Sequence, residues 1–89
     1  MEMRGKSVVV TGGSRGLGRA LGETLGERGA RVVLVARDEG PLEEAVRVVR
    51  ARGGEAHGVA GDVGAPDAAW SIAARASALV GPVDVLVLN

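Results

Sequence analysis

The sequence has no cysteine, which excludes disulfide frameworks and zinc–thiolate centres. Tyrosine and phenylalanine are absent, there is one tryptophan, and the only lysine is Lys6. The missing tyrosine and the solitary lysine bear on the chemistry considered below. Neither charge sign is in excess: 11 basic residues balance 11 acidic ones, so no basic footprint for nucleic acid is present. Long hydrophobic runs are lacking too. The apolar run in MEMRGKSVVV is too short for a signal peptide or a membrane span, and a cytoplasmic location is the expectation. With 89 residues the chain is at most one small domain. Its core is marginal, since a chain of this size buries only about 60–70% of its unfolded surface. The apolar fraction of 46% is nonetheless that of a globular protein.

What is present alternates regularly. Residues 7–11 (SVVVT), 31–36 (RVVLVA) and 83–88 (VDVLVL) are continuous apolar, β-branched runs, the pattern of strands buried on both faces. Residues 55–60 (EAHGVA) read as a weaker strand, interrupted by Gly58. Between them lie helical patterns. In residues 16–28, Leu17, Ala20, Leu21, Thr24 and Leu25 fall on one stripe, and Gly29 ends the segment. Residues 41–52 begin with Pro41, carry Glu43 and Glu44 early and Arg50 and Arg52 late, and stop at Gly53-Gly54. Residues 66–80 are alanine-rich and end at Gly81-Pro82. Strand and helix alternate with short connections, which predicts an α/β fold: a Rossmann-type, doubly wound parallel sheet of strand order 3-2-1-4.

Residues 11–18 read TGGSRGLG and join the first strand to the first helix. At such a junction the helix N-terminus exposes backbone N–H groups and the positive end of its dipole, and a pyrophosphate can sit there. Gly12 permits the tight turn, Gly16 lets a ligand approach the backbone, and Gly18 lets the helix pack closely. Ser14 and Arg15 line the turn with a hydroxyl and a positive charge. A Walker-type phosphate loop does not fit, because Gly16 is not followed by Lys and then Ser or Thr.

Taken with GARVVLVAR at 29–37, GDV at 61–63 and VDVLVLN at 83–89, the glycine motif resembles the short-chain dehydrogenase/reductase family over essentially the whole chain. The resemblance implies that Gly12, Gly16 and Gly18 form the coenzyme turn and that Leu17 lends a backbone N–H to the pyrophosphate. It implies further that Asp62 accepts from the adenine amino group, with Val63 beside that ring. Asn89 matches an asparagine of the family's Asn-Asn-Ala-Gly segment near the adenosine ribose, whereas Leu88 stands where that segment has its first asparagine. At the end of the second strand, the acidic residue of NAD-preferring members falls on Ala36. Arg37 follows, and its guanidinium suits a 2′-phosphate in charge and geometry. Arg15 reaches the same region in many relatives. Asp38 is the counter-signal, but looks one turn too far along. NADP(H) is therefore expected in preference to NAD(H).

The family's chemistry uses a tyrosine for proton transfer, a lysine four residues on that lowers its pKa, and a serine on the substrate carbonyl. None of these can be assigned here, and Ser7, Ser14, Ser71 and Ser77 are not placed to substitute. Residues 1–89 are therefore expected to be a partial NAD(P)-binding Rossmann domain, truncated after strand 4 and inactive alone. Two alternatives are a non-catalytic self-associating module and a half-enzyme completed by a separate chain. An apolar fourth strand at the sheet edge leads to an expected homo-oligomer, most simply a two-fold dimer. His57 is expected to be a plain strand residue with no serine or carboxylate partner, Trp70 to fill core or an interface, and Arg47, Arg50 and Arg52 to form the solvated side of a helix.

Overall fold

The computed structural model describes residues 2–89. Ser7–Thr11, buried at all five positions, forms β1, an inner strand of the sheet. There follow α1 (Gly16–Glu27), β2 (Arg31–Ala36), α2 (Glu39–Ala51), β3 (Glu55–Ala60), α3 (Ala68–Val80) and β4 (Val85–Val87). The strand order is β3-β2-β1-β4 and every pairing is parallel, so the Rossmann-type sheet expected from the sequence is the one that forms. Successive side chains alternate between two cores. Val8, Val10, Val32 and Leu34 pack with Leu42, Ala45, Val46 and Val49 of α2. Val9, Val33, Val35 and Val59 pack with Ile72, Ala76 and Val80 of α3. Helices cover both faces, which is why the strands need no polar alternation. Among the described residues, no helix is long and apolar enough to cross a membrane.

The buried face of α1 differs from the hydrophobic stripe. Gly18, Gly22 and Gly26 are its buried residues, while Leu17 is 76% exposed and Ala20 and Thr24 face solvent. The reason is steric. A Cβ on Gly22 would lie 2.7 Å from Leu34 Cδ2, and one on Gly26 only 2.5 Å from Val49 Cγ1. At these glycines the helix backbone itself meets the sheet and α2, while Leu25 of the stripe, half-buried, packs against the same core.

Polar contacts tie β4 to β1 at both ends. Ser7 N–H donates to Asp84 Oδ2 (2.8 Å), and Asp84 N–H donates to the Ser7 carbonyl (2.9 Å). The buried Ser7 hydroxyl donates to the Val80 carbonyl and accepts from Arg31 Nη2. At the other end, Asn89 N–H donates to Thr11 Oγ1 (3.0 Å). β4 is shorter than its apolar run of 83–88, and these contacts are made by Asp84 just before the strand and by Asn89 beyond the run.

The outer edge of β3 is occupied by side chains. Arg50 Nε donates to the Ala56 carbonyl and Arg75 Nη1 to the Ala60 carbonyl, both at 2.8 Å. Arg50 is thus not simply a solvated charge of α2. Arg52 pairs with Glu23 and Glu27 of α1, and Arg47 with Glu44, where the hydrogen bond holds the exposed Glu44 carboxyl below its usual pKa.

Candidate functional site

The chain leaves β1 at Thr11 and enters α1 at Gly16. Gly12 and Gly16 make the reversal with φ of +63° and +56°, a region costly for residues bearing a Cβ. Gly18 faces the turn itself: a Cβ there would run into the Gly12 carbonyl oxygen and lie 2.6 Å from Asn89 Nδ2. Asn89 Nδ2 donates to that same Gly12 carbonyl (3.2 Å), so the end of β4 buttresses the turn from the side. By contrast, a Cβ on Gly16 would meet nothing within 4 Å, so open space lies over this point of the backbone.

The N-terminus of α1 is uncapped. Arg15 occupies the N-cap position and makes no side-chain cap bond, and the first helical hydrogen bond is from Arg19 N–H to the Arg15 carbonyl. The amides of Gly16, Leu17 and Gly18 therefore lack intrahelical acceptors. No acidic side chain stands in the first turn to offset the dipole.

Beside the turn, across the carboxyl ends of β1, β2 and β3, lies a groove of about 400 Å³. Gly12, Ser14, Arg15, Arg37, Asp62, Val63 and Asn89 all line it, together with Ala36 and Asp38. Seven of the ten sequence-predicted site residues thus share one concavity. The other three, Gly16, Leu17 and Gly18, form the start of α1 next to it, with the Leu17 side chain turned to solvent. Opposite charges face each other in the groove: Arg15 Nη2 is 3.7 Å from Asp38 Oδ2, and Arg37 Nη1 is 3.9 Å from Asp62 Oδ2. Asp62 Oδ1 accepts from Gly64 N–H (2.9 Å), which fixes the carboxylate in its loop.

Asp38 is the residue sequence reasoning set aside. β2 ends at Ala36 and α2 begins at Glu39, so no helical turn separates Asp38 from the groove. The short spacing between strand end and helix start was the available signal. Two other expectations need correction. Of the two places expected for Trp70, core or interface, the first is excluded: it is 82% exposed on α3, whose buried stripe is Ile72, Ala76 and Val80. His57 does have a carboxylate beside it, with Nε2 3.2 Å from Glu55 Oε2, since residues two apart on a strand share a face. It does not line the groove.

The family model described as short chain dehydrogenase matches residues 6–89. A short chain dehydrogenase of Pseudocercospora fijiensis is 42% identical over 86 residues, covering 97% of this chain and 28% of that protein. Among solved structures, a metagenomic short-chain oxidoreductase in complex with NADP is similar with a TM-score of 0.88 and 44% identity, over 97% of this chain and 39% of that one. A 3-oxoacyl-(acyl-carrier-protein) reductase from Agrobacterium tumefaciens C58 with NADP bound gives a TM-score of 0.90 and 39% identity, over 98% and 33%. The chain thus spans between 28% and 39% of the length of these three proteins. With its glycine turn, its strand order and its sequence all matched across nearly every residue, the chain belongs to the short-chain dehydrogenase family.

Proposed function

We propose that residues 1–89 are the coenzyme-binding part of an oxidoreductase that takes NADP(H) in preference to NAD(H). The observation that carries this reading is the uncapped start of α1, whose amides open beside a groove holding two arginines. The Gly16, Leu17 and Gly18 amides hold the pyrophosphate there, and the open space over Gly16 leaves room for it. Arg37 and Arg15 take the 2′-phosphate, and Ala36 offers no carboxylate to repel it. Asp62 accepts from the adenine amino group through the oxygen not engaged by Gly64, with Val63 along the ring. Asn89 steadies the turn and faces the ribose. NADP in two similar structures supports the same preference.

When bound, the coenzyme supplies or accepts hydride at a carbonyl or alcohol carbon. These residues include no tyrosine, and therefore no Tyr-x-x-x-Lys pair, so this stretch by itself is expected to bind coenzyme without turning it over. Titration followed by nicotinamide fluorescence and calorimetry tests the proposal. Saturable binding with NADPH tighter than NADH is expected; a flat titration with both sinks it.

The sheet favours a second reading alongside the first. The β3 edge is guarded by Arg50 and Arg75, whereas, among the described residues, β4 pairs with β1 alone. Next to β4 an apolar groove of about 380 Å³ is lined by Val9, Ile72, Ala76, Val83, Leu86 and Leu88. Two copies of these residues joining at β4 would cover it. Sedimentation velocity is expected to give a dimer; a monomer at every concentration tested rejects it.

A further inference from the structure

We infer that Arg50 and Arg75 close the outer edge of β3 to strand addition by a second copy of this chain, and so bar the head-to-tail joining of β4 to β3 that would add copies without end. This goes beyond the coenzyme and β4 readings: it concerns the opposite edge of the sheet and holds whether or not two copies meet at β4.

Among the described residues β3 has one neighbour, β2. Just past its end, Gly61 N–H donates to the Ala36 carbonyl of β2 (2.9 Å). Backbone groups alternate sides along a strand, so odd-numbered residues face β2, and Ala56, Gly58 and Ala60 turn their N–H and C=O groups outward. An added strand would bond to these three residues. Two of their carbonyls are already taken: Ala56 by Arg50 Nε and Ala60 by Arg75 Nη1, both at 2.8 Å. The arginines come from α2 and α3, the helices on opposite faces of the sheet, so they reach the edge from both sides. Gly58 is left exposed between them. An incoming strand would pair there through a single residue, against six pairs between β2 and β3.

Moving the guanidiniums aside is unfavourable. Each bond has a charged donor, which makes it stronger than a neutral one. The concavity of about 490 Å³ beside the edge also carries Glu39, Glu43 and Arg47, and a strand laid over it would strip water from these charges. The groove beside β4 differs: Val83, Leu86 and Leu88 border it, and covering them is favourable. With β3 closed, two copies can meet symmetrically at β4, but β4 cannot join β3, the contact that runs on into filaments.

The test is Arg50→Gln combined with Arg75→Gln in the chain of residues 1–89, followed by sedimentation velocity over a concentration series, with circular dichroism to check the fold. The weight-average mass is expected to rise about twofold or more above the parent's and to climb with concentration, because each copy now offers two open edges. If the pair fails to fold, Arg75→Gln alone decides, since that side chain lies on an exposed position of α3: growth supports the inference and parental mass overturns it. Arg47→Gln removes the same charge from α2, but its guanidinium sits on Glu44, so it is expected to keep the parental mass. A folded double variant of parental mass, equal growth with Arg47→Gln, or a parent that itself polymerises overturns the closure of β3. A parent that sediments as a monomer rejects the β4 dimer and leaves the expected growth of the double variant in place.

Discussion

Gly18→Ala is expected to cost about 3 kcal/mol of stability, at the upper end for overpacking, and to abolish dinucleotide binding. The added methyl would collide with the Gly12 carbonyl and press on Asn89. One obstacle is backbone, which cannot rotate aside, so α1 has to lift off the turn. Gly16→Ala is the informative control. Space is open there, and only the positive φ is penalised, at roughly 1–2 kcal/mol. Urea denaturation reads both. If Gly18→Ala unfolds at the same midpoint as the parent chain, or is milder than Gly16→Ala, the close approach at Gly18 is not what holds the turn.

Arg37→Ala is expected to raise Kd for NADPH by about tenfold to 150-fold and to leave NADH within about twofold. Hydrogen bonds between a guanidinium and a phosphate are charge-assisted, and the alanine variant forfeits them only when a phosphate is present. Loss of the 3.9 Å contact to Asp62 has little consequence by itself, because both groups are largely exposed. Arg37→Lys retains charge without the planar fork and is expected to fall between the two. Calorimetric titration separates the cases. Equal weakening of NADPH and NADH would remove Arg37 from the 2′-phosphate site.

β1, β2 and β4 were legible because each lies in a continuous apolar run, β3 less so because His57 and Gly58 interrupt its run, and the parallel order followed from the alternation of strands with helices. β4 was legible as an element but not in its extent: Asp84, inside the run, is taken up by contacts to Ser7, and the strand is only Val85–Val87. The face of α1 was legible only in part: Leu21 and Leu25 of the stripe are half-buried and Leu25 packs on the core, whereas Leu17, Ala20 and Thr24 face solvent. Counting hydrophobic residues gives glycine no weight, yet Gly18, Gly22 and Gly26 are the buried positions. The glycine turn, with Ser14 and Arg15, was readable from its place between a strand and a helix, whereas Arg37, Asp62, Val63 and Asn89 were singled out by the family resemblance. Asp38 was misjudged because its distance along the chain says little about a loop that turns back between β2 and α2. The roles of Arg50 and Arg75 were hidden for a related reason: the carbonyls they reach belong to another element.

Leu34 lies fully buried beneath two of the glycines. Its Cδ2 would be 2.9 Å from a Cβ on Gly13 and 2.7 Å from one on Gly22. A single leucine thus acts as a shim under both the loop and the helix that follows it, and its bulk sets how high the Gly16, Leu17 and Gly18 amides stand above the sheet. Trimming or enlarging it would shift those amides through the backbone that rests on it.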